Sequence, residues 1–241
     1  MNEFAAAPSL GEPSRSALRP ERWGIWDAVI TIFGAIVVAV VVGVVLVLVD
    51  APLAVMLIVG TAAPWVMLIG WPWLATTWRG NGPVHDLRLT LNWTQFGWGV
   101  LGGVVALVVG LLLGWLTSLV VGEFDAAASE AALELGADGP KWALVVFCLM
   151  IAFGAPFAEE FAFRGMLLTS LAKKGLNAFW SVGISALAFG LFHFEPTRLV
   201  LLVAIGVVLG IVRWRTDSLG SSIVAHAMVN IPGAISIWFA S

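Results

Sequence analysis

The sequence predicts an all-α fold, a polytopic transmembrane helical bundle of about seven spans. Three observations carry that expectation. The 241 residues are 60% hydrophobic and only 11% charged, against about 25% charged residues in a typical soluble domain. The mean hydropathy is +0.99, and the apolar residues fall into runs near the roughly 20 that a helix needs to cross a bilayer core. The aromatic complement includes 13 Trp and no Tyr, so any belt at the membrane–water interface is built from indoles.

The elements follow in order. Residues 1–22 are polar, rich in Ala, Pro and Ser, and too long for the charged lead of a signal peptide. They read as a disordered cytoplasmic tail, and 23–241 as one transmembrane domain. Apolar runs place spans at roughly 24–49, 52–77, 95–121, 141–171, 177–195, 197–213 and 219–240. The fourth is too long for one straight crossing at about 1.5 Å per residue, so Pro156 is expected to kink it or its end to lie along the interface. Asp27 and Asp50 flank the first span and are expected among lipid headgroups, and Trp71–Pro72–Trp73 reads as an interfacial kink. His85 falls in a loop and reads as a surface residue. The spacing of Gly206 and Gly210 suits close helix packing. The segment EFDAAASEAALELGADGPK (123–141) is acidic, with an Ala/Glu/Leu centre suited to a short amphipathic helix.

Basic residues orient the set. Arg15, Arg19, Arg22, Arg79, Arg88, Lys173, Lys174, Arg213 and Arg215 fall on one side of the expected spans, and only Lys141 and Arg198 on the other. Positive charge accumulates on the cytoplasmic side, which places the N-terminus inside and the C-terminus outside. A net charge of −3 points to no nucleic-acid partner, and the single Cys148 excludes an intramolecular disulfide. The bias toward Ala, Val, Gly and Trp fits a GC-rich bacterium, hence a bacterial plasma membrane.

Against this background, AEEFAFRGM (158–166) is anomalous. An ionisable side chain at mid-membrane costs about 2.5–3.5 kcal/mol on insertion scales and marks a functional site by default. Glu159, Glu160 and Arg164 all fall in the fourth span, His193 in FGLFH (189–193) and His226 and Asn230 in HAMVN (226–230). Residues four apart share a helix face. Glu160 can therefore pair with Arg164, His226 with Asn230, and Phe189 lies over the face of His193. Glu160–Arg164 suits a structural ion pair, which leaves Glu159 as the carboxylate without a partner of its own. A lone intramembrane histidine or Asn230 can equally be a hydrogen-bonded link between helices. If three helices turn these faces inward, the pocket has the chemistry to activate water. One constraint stands out: His193 lies about 24 Å from the cytoplasmic start of its expected helix and His226 about 10 Å from its own. A shared pocket requires staggered helices or shifted boundaries.

The order EExxxR with FRG at its end, then FxxxH, then HxxxN, on successive late helices over roughly residues 140–240, resembles the CAAX-protease and bacteriocin-processing family. These are intramembrane proteases whose eukaryotic members trim prenylated CAAX proteins, and many of whose bacterial members accompany bacteriocin processing or immunity. The resemblance implies a glutamate-dependent endopeptidase without a cofactor, acting on a membrane-associated protein or peptide in the bilayer. It implies Glu159 as the catalytic glutamate, His193 as the histidine that holds and activates water with it, and His226 and Asn230 as the oxyanion hole. Glu160 and Arg164 match supporting positions. An alternative is zinc held by Glu159, His193 and His226, although HExxH is absent. Two other classes compete: a proton-coupled transporter, weakened by the lack of an evident inverted repeat, and a non-catalytic immunity or scaffold protein.

Overall fold

The computed structural model describes residues 18–122, 124 and 127–240. Six of its helices are long and apolar enough to cross a membrane: α1 (Ile25–Leu48), α2 (Leu53–Arg79), α3 (Trp93–Val121), α5 (Lys141–Lys173), α7 (Leu199–Thr216, which extends a short turn from Pro196) and α8 (Leu219–Ala240). Between α3 and α5 lies α4 (Ala127–Asp138), the short helix expected in the acidic loop. There are no strands among the described residues. The protein is an all-α, multi-pass integral membrane bundle.

The expected span 177–195 is where the count differs. It forms α6 (Ala178–Phe192), a helix of 15 residues. At about 1.5 Å per residue this gives about 22 Å, short of the roughly 30 Å hydrocarbon core. The helix stops because Pro196 biases Glu195 to extended backbone (φ −113°, ψ 87°) and Phe194 takes the left-handed region at φ 54°. The stop puts His193 at the helix C-terminus, inside the bundle.

The over-long fourth span is one continuous 33-residue helix. Two π-helical segments, Met150–Gly154 and Phe161–Leu167, absorb its irregularity. They bracket the α-helical turns carrying Pro156, Glu159 and Glu160. Such π segments are often found at functional sites.

Helix contacts follow the small residues. On α3, Gly99, Gly102, Gly103 and Ala106 form the buried stripe, and Cβ atoms built at the three glycines would collide with Val224, Val212 and Met228 of α7 and α8. The start of α3 is set by a reciprocal cap: Asn92 Oδ1 accepts from the Gln95 amide at 2.8 Å, and Gln95 Oε1 accepts from the Asn92 amide at 2.9 Å. On α7, Gly206 lies against the backbone of Ala186 in α6.

The expected charge asymmetry is visible in three dimensions. The amide of Arg22 donates to the carbonyl of Arg79 at 2.7 Å, Lys173 pairs with Glu21 at 2.8 Å, and Asp217 links Arg213 and Arg88 at 3.0 and 3.2 Å. All lie at one end of the bundle, while Lys141 and Arg198 lie towards the other. Of the tail expected over 1–22, residues 1–17 lie outside the described residues. Asp27 departs from the headgroup position expected of it. It is 3% exposed, pairs with Arg79 and accepts from the Trp71 indole at 3.1 Å. Its helix-start position and the nearby cation draw it inward. His85 is half-buried and bonds to Asp86 at 3.1 Å.

A Cβ at Gly206 would meet Ala186 Cα at 3.1 Å and its carbonyl oxygen at 3.3 Å. Gly206→Val is therefore expected to lower stability by about 1–3 kcal/mol through overpacking, read by thermal unfolding in detergent. Gly43→Val, where nothing lies within 4 Å, serves as the neutral comparison.

Candidate active site

The three motifs converge. Glu159 and Glu160 come from the middle of α5, His193 caps the end of α6, His226 comes from the first half of α8 and Asn230 from its middle. His193 stands fifteen residues beyond the start of α6 at Ala178, and His226 seven residues beyond the start of α8. Both nevertheless reach Glu159, with Nε2 to Oε2 separations of 4.0 Å for His193 and 3.7 Å for His226. The helices are staggered. The start of α8 is raised on a loop from below: the Leu219 amide donates to the Arg88 carbonyl at 2.8 Å, and Ser218 Oγ donates to the Thr90 carbonyl at 2.5 Å.

Glu160 and Arg164 are fully buried and paired at 2.7 Å. In a dry interior every remaining donor and acceptor needs a partner. Arg164 Nη2 donates to the Gly206 carbonyl of α7 at 3.0 Å. Ser222 donates its hydroxyl to Glu160, and His226 Nδ1 lies 3.1 Å from the same carboxylate. An ionised carboxylate only accepts, so this geometry places a proton on His226 Nδ1. Nε2 is thereby turned toward Glu159.

Phe189 explains why an aromatic precedes the histidine by four. Its ring lies under the Arg164 guanidinium, 4.5 Å away. The His193 and His226 rings pack edge-on against it at 4.7 and 5.5 Å. Its carbonyl sits 2.8 Å from His193 Nδ1, so that nitrogen donates, and in the neutral ring Nε2 is the acceptor on the side of Glu159.

Asn230 and His226 were expected to pair on one face, but each bonds elsewhere. Asn230 Nδ2 donates to the Ile151 carbonyl at 3.0 Å. The reason is in the sequence of α5. In the π segment the Ala155 amide bonds back to Met150, five residues earlier. The same register would match the Ile151 carbonyl with residue 156, which is proline and has no N–H. Asn230 satisfies that orphaned carbonyl and retains one amide N–H.

Glu159, His193, His226 and Asn230 line one cavity of about 340 Å³. Thr61 of α2, Ser129 of α4 and the Glu195–Arg198 pair also border it, so it opens toward the end away from the basic cluster. Sequence reasoning missed Ser222 and the cavity-lining Glu195 and Arg198. Ser222 carried a signal, since it precedes His226 by four and Asn230 by eight, and so shares their face.

This arrangement defines a class: a multi-pass membrane protein with a carboxylate and two imidazoles around a cavity inside the helix bundle. Residues 141–232 match the family model described as Type II CAAX prenyl endopeptidase Rce1-like, and the match spans every motif residue from Glu159 to Asn230. The family that the three motifs resemble is thus the one whose model this segment matches. No curated protein and no solved structure matches the chain.

Glu160→Gln would strand the buried Arg164 charge and is expected to cost about 3–5 kcal/mol. Glu159→Gln, which leaves the Glu160–Arg164 pair intact, is expected to leave thermal unfolding in detergent within about 1 kcal/mol of wild type.

Proposed function

We propose that the protein is an intramembrane endopeptidase of a bacterial plasma membrane, hydrolysing a peptide bond in a membrane-associated protein or peptide. The observation that carries this reading is the pairing of Glu159 with two imidazole Nε2 atoms, each oriented by its own Nδ1 bond, at the wall of one cavity.

The geometry suggests a division of labour. The 4.0 Å between Glu159 and His193 is too long for a direct hydrogen bond and suits a water bridging both. His193 Nε2 accepts a hydrogen bond from that water while Glu159 takes its other hydrogen as a proton, leaving a hydroxide-like oxygen to attack the scissile carbonyl. Glu159 then delivers its proton to the leaving amine. The tetrahedral oxyanion is held by the free N–H of Asn230 and by His226. Because His226 Nδ1 donates to Glu160, its Nε2 can donate only as the imidazolium. In a cavity removed from bulk water such donors count most. Glu160 and Arg164 hold this set in place.

The metal-free reading is supported by the resemblance and by the lack of HExxH in the sequence. Among the described residues, the trio of His, Cys, Asp or Glu whose ligand atoms gather within 4.8 Å is Glu21, His85 and Asp86, away from this cavity.

Glu159→Gln is expected to reduce cleavage by at least about 10²-fold while the protein remains inserted, read by comparing membrane-proteome cleavage products with wild type. Full activity in this variant would remove Glu159 from the chemistry, and pH-driven flux in liposomes without proteolysis would point to a transporter. Cleavage by the purified wild type is expected to persist in 1,10-phenanthroline. A rate that falls with chelator and returns with added zinc would replace the glutamate mechanism with a metal one.

A further inference from the structure

At the basic end of the bundle, away from the active-site cavity, the start of α1 meets the ends of α2 and α5 around a second polar cavity of about 380 Å³. Its walls hold four cationic residues, Arg22, Arg79, Lys173 and Lys174, and two acidic ones, Glu21 and Asp27. Both acidic groups are already matched. Asp27 pairs with Arg79, and its other oxygen accepts from the Gly24 amide at 2.9 Å. Glu21 pairs with Lys173 at 2.8 Å, and that ammonium also donates to the Trp23 carbonyl and lies over the Trp23 ring. Arg22 and Lys174 are left with no ion pair among the described residues.

Two further features place donors at the border of the same space. The 24-residue α1 begins here, and its first-turn N–H groups at Ile25 and Trp26 have no carbonyl partner within the helix. Ser170 lines the cavity, is 0% exposed, and has a buried hydroxyl with no hydrogen-bond partner. A buried polar atom without a partner asks for a group that has yet to be accounted for. Two unmatched cations, a helix N-terminus and a spare hydroxyl all seek negative charge, and together they offer more donors than the two oxygens of a carboxylate can accept.

We propose that this cavity is a binding site for a phosphate group. Arg22 supplies the planar fork suited to two phosphate oxygens, Lys174 a second charge, the start of α1 its backbone amides, and Ser170 a hydroxyl. The site sits where the spans end and beside the 76% exposed Trp26, at the side read as cytoplasmic, where anionic lipids attract basic clusters. The phosphodiester of an anionic phospholipid is one source of the ligand, and free phosphate is the other.

The test uses the full-length protein in detergent micelles and reads thermal unfolding, independently of any protease activity. Phosphatidylglycerol is expected to raise the midpoint by about 4 °C more than phosphatidylcholine at the same mole fraction. The gain should disappear in R22Q/K174Q, whose altered positions are both exposed, and persist in the charge-conserving R22K/K174R. A matching rise with inorganic phosphate alone identifies free phosphate as sufficient; a rise with phosphatidylglycerol only identifies the lipid. Equal midpoints in both lipids with no response to phosphate would overturn the site. So would a gain that survives unchanged in R22Q/K174Q.

Discussion

The arrangement of the late helices depends on one buried ion pair, Glu160 with Arg164. Removing two charges from water is costly, and their mutual attraction offsets that cost only when the remaining donors and acceptors are also met. Apart from Arg164 Nε, which has no partner, they are met from other helices: the Gly206 carbonyl on α7 and Ser222 and His226 on α8. The pair therefore cross-links three helices where lipid-like side chains could not specify a register. It also sets the orientation of His226, since the Nδ1 bond to Glu160 turns Nε2 toward Glu159. A structural device and the proposed chemistry meet in one imidazole.

The irregularity of α5 follows from the same need to satisfy polar atoms. Pro156 cannot donate to a carbonyl in the preceding turns, and the π register leaves that of Ile151 open to Asn230. Asn230 is thereby fixed at the cavity wall with one N–H to spare. Here a packing requirement and a site requirement coincide, so an asparagine at this place is explained by the backbone as well as by the resemblance. Phe189 shows the same economy: one ring supports a guanidinium and two imidazoles, and its carbonyl orients one of them.

Much of this was legible in the chain. Long apolar runs identify spans because a bilayer demands that backbone bonds be met within each helix. The four-residue spacings of Glu160–Arg164 and Phe189–His193 mark shared faces because helix geometry brings such residues together, and both contacts occur. The same rule suggested a pairing of His226 with Asn230, and there it failed, because better partners lay on α5. The short α6 was hidden for a related reason: hydropathy runs through Phe194, while the chain turns on the backbone of Phe194 and Pro196.

The sequence by itself determined the membrane class, the helical fold, the order of the spans and the residues whose burial needs a reason. These depend on local quantities: hydropathy summed over a helix length and spacing within one helix. The tertiary structure alone decided how deep each residue lies, which carboxylate meets which imidazole, and that Ser222 and the Ile151 carbonyl complete the set. Those depend on the stagger between helices. Stagger is set by glycine contacts, a loop beneath α8 and hydrogen bonds between residues as far apart as Glu160 and His226, and no single helix contains that information.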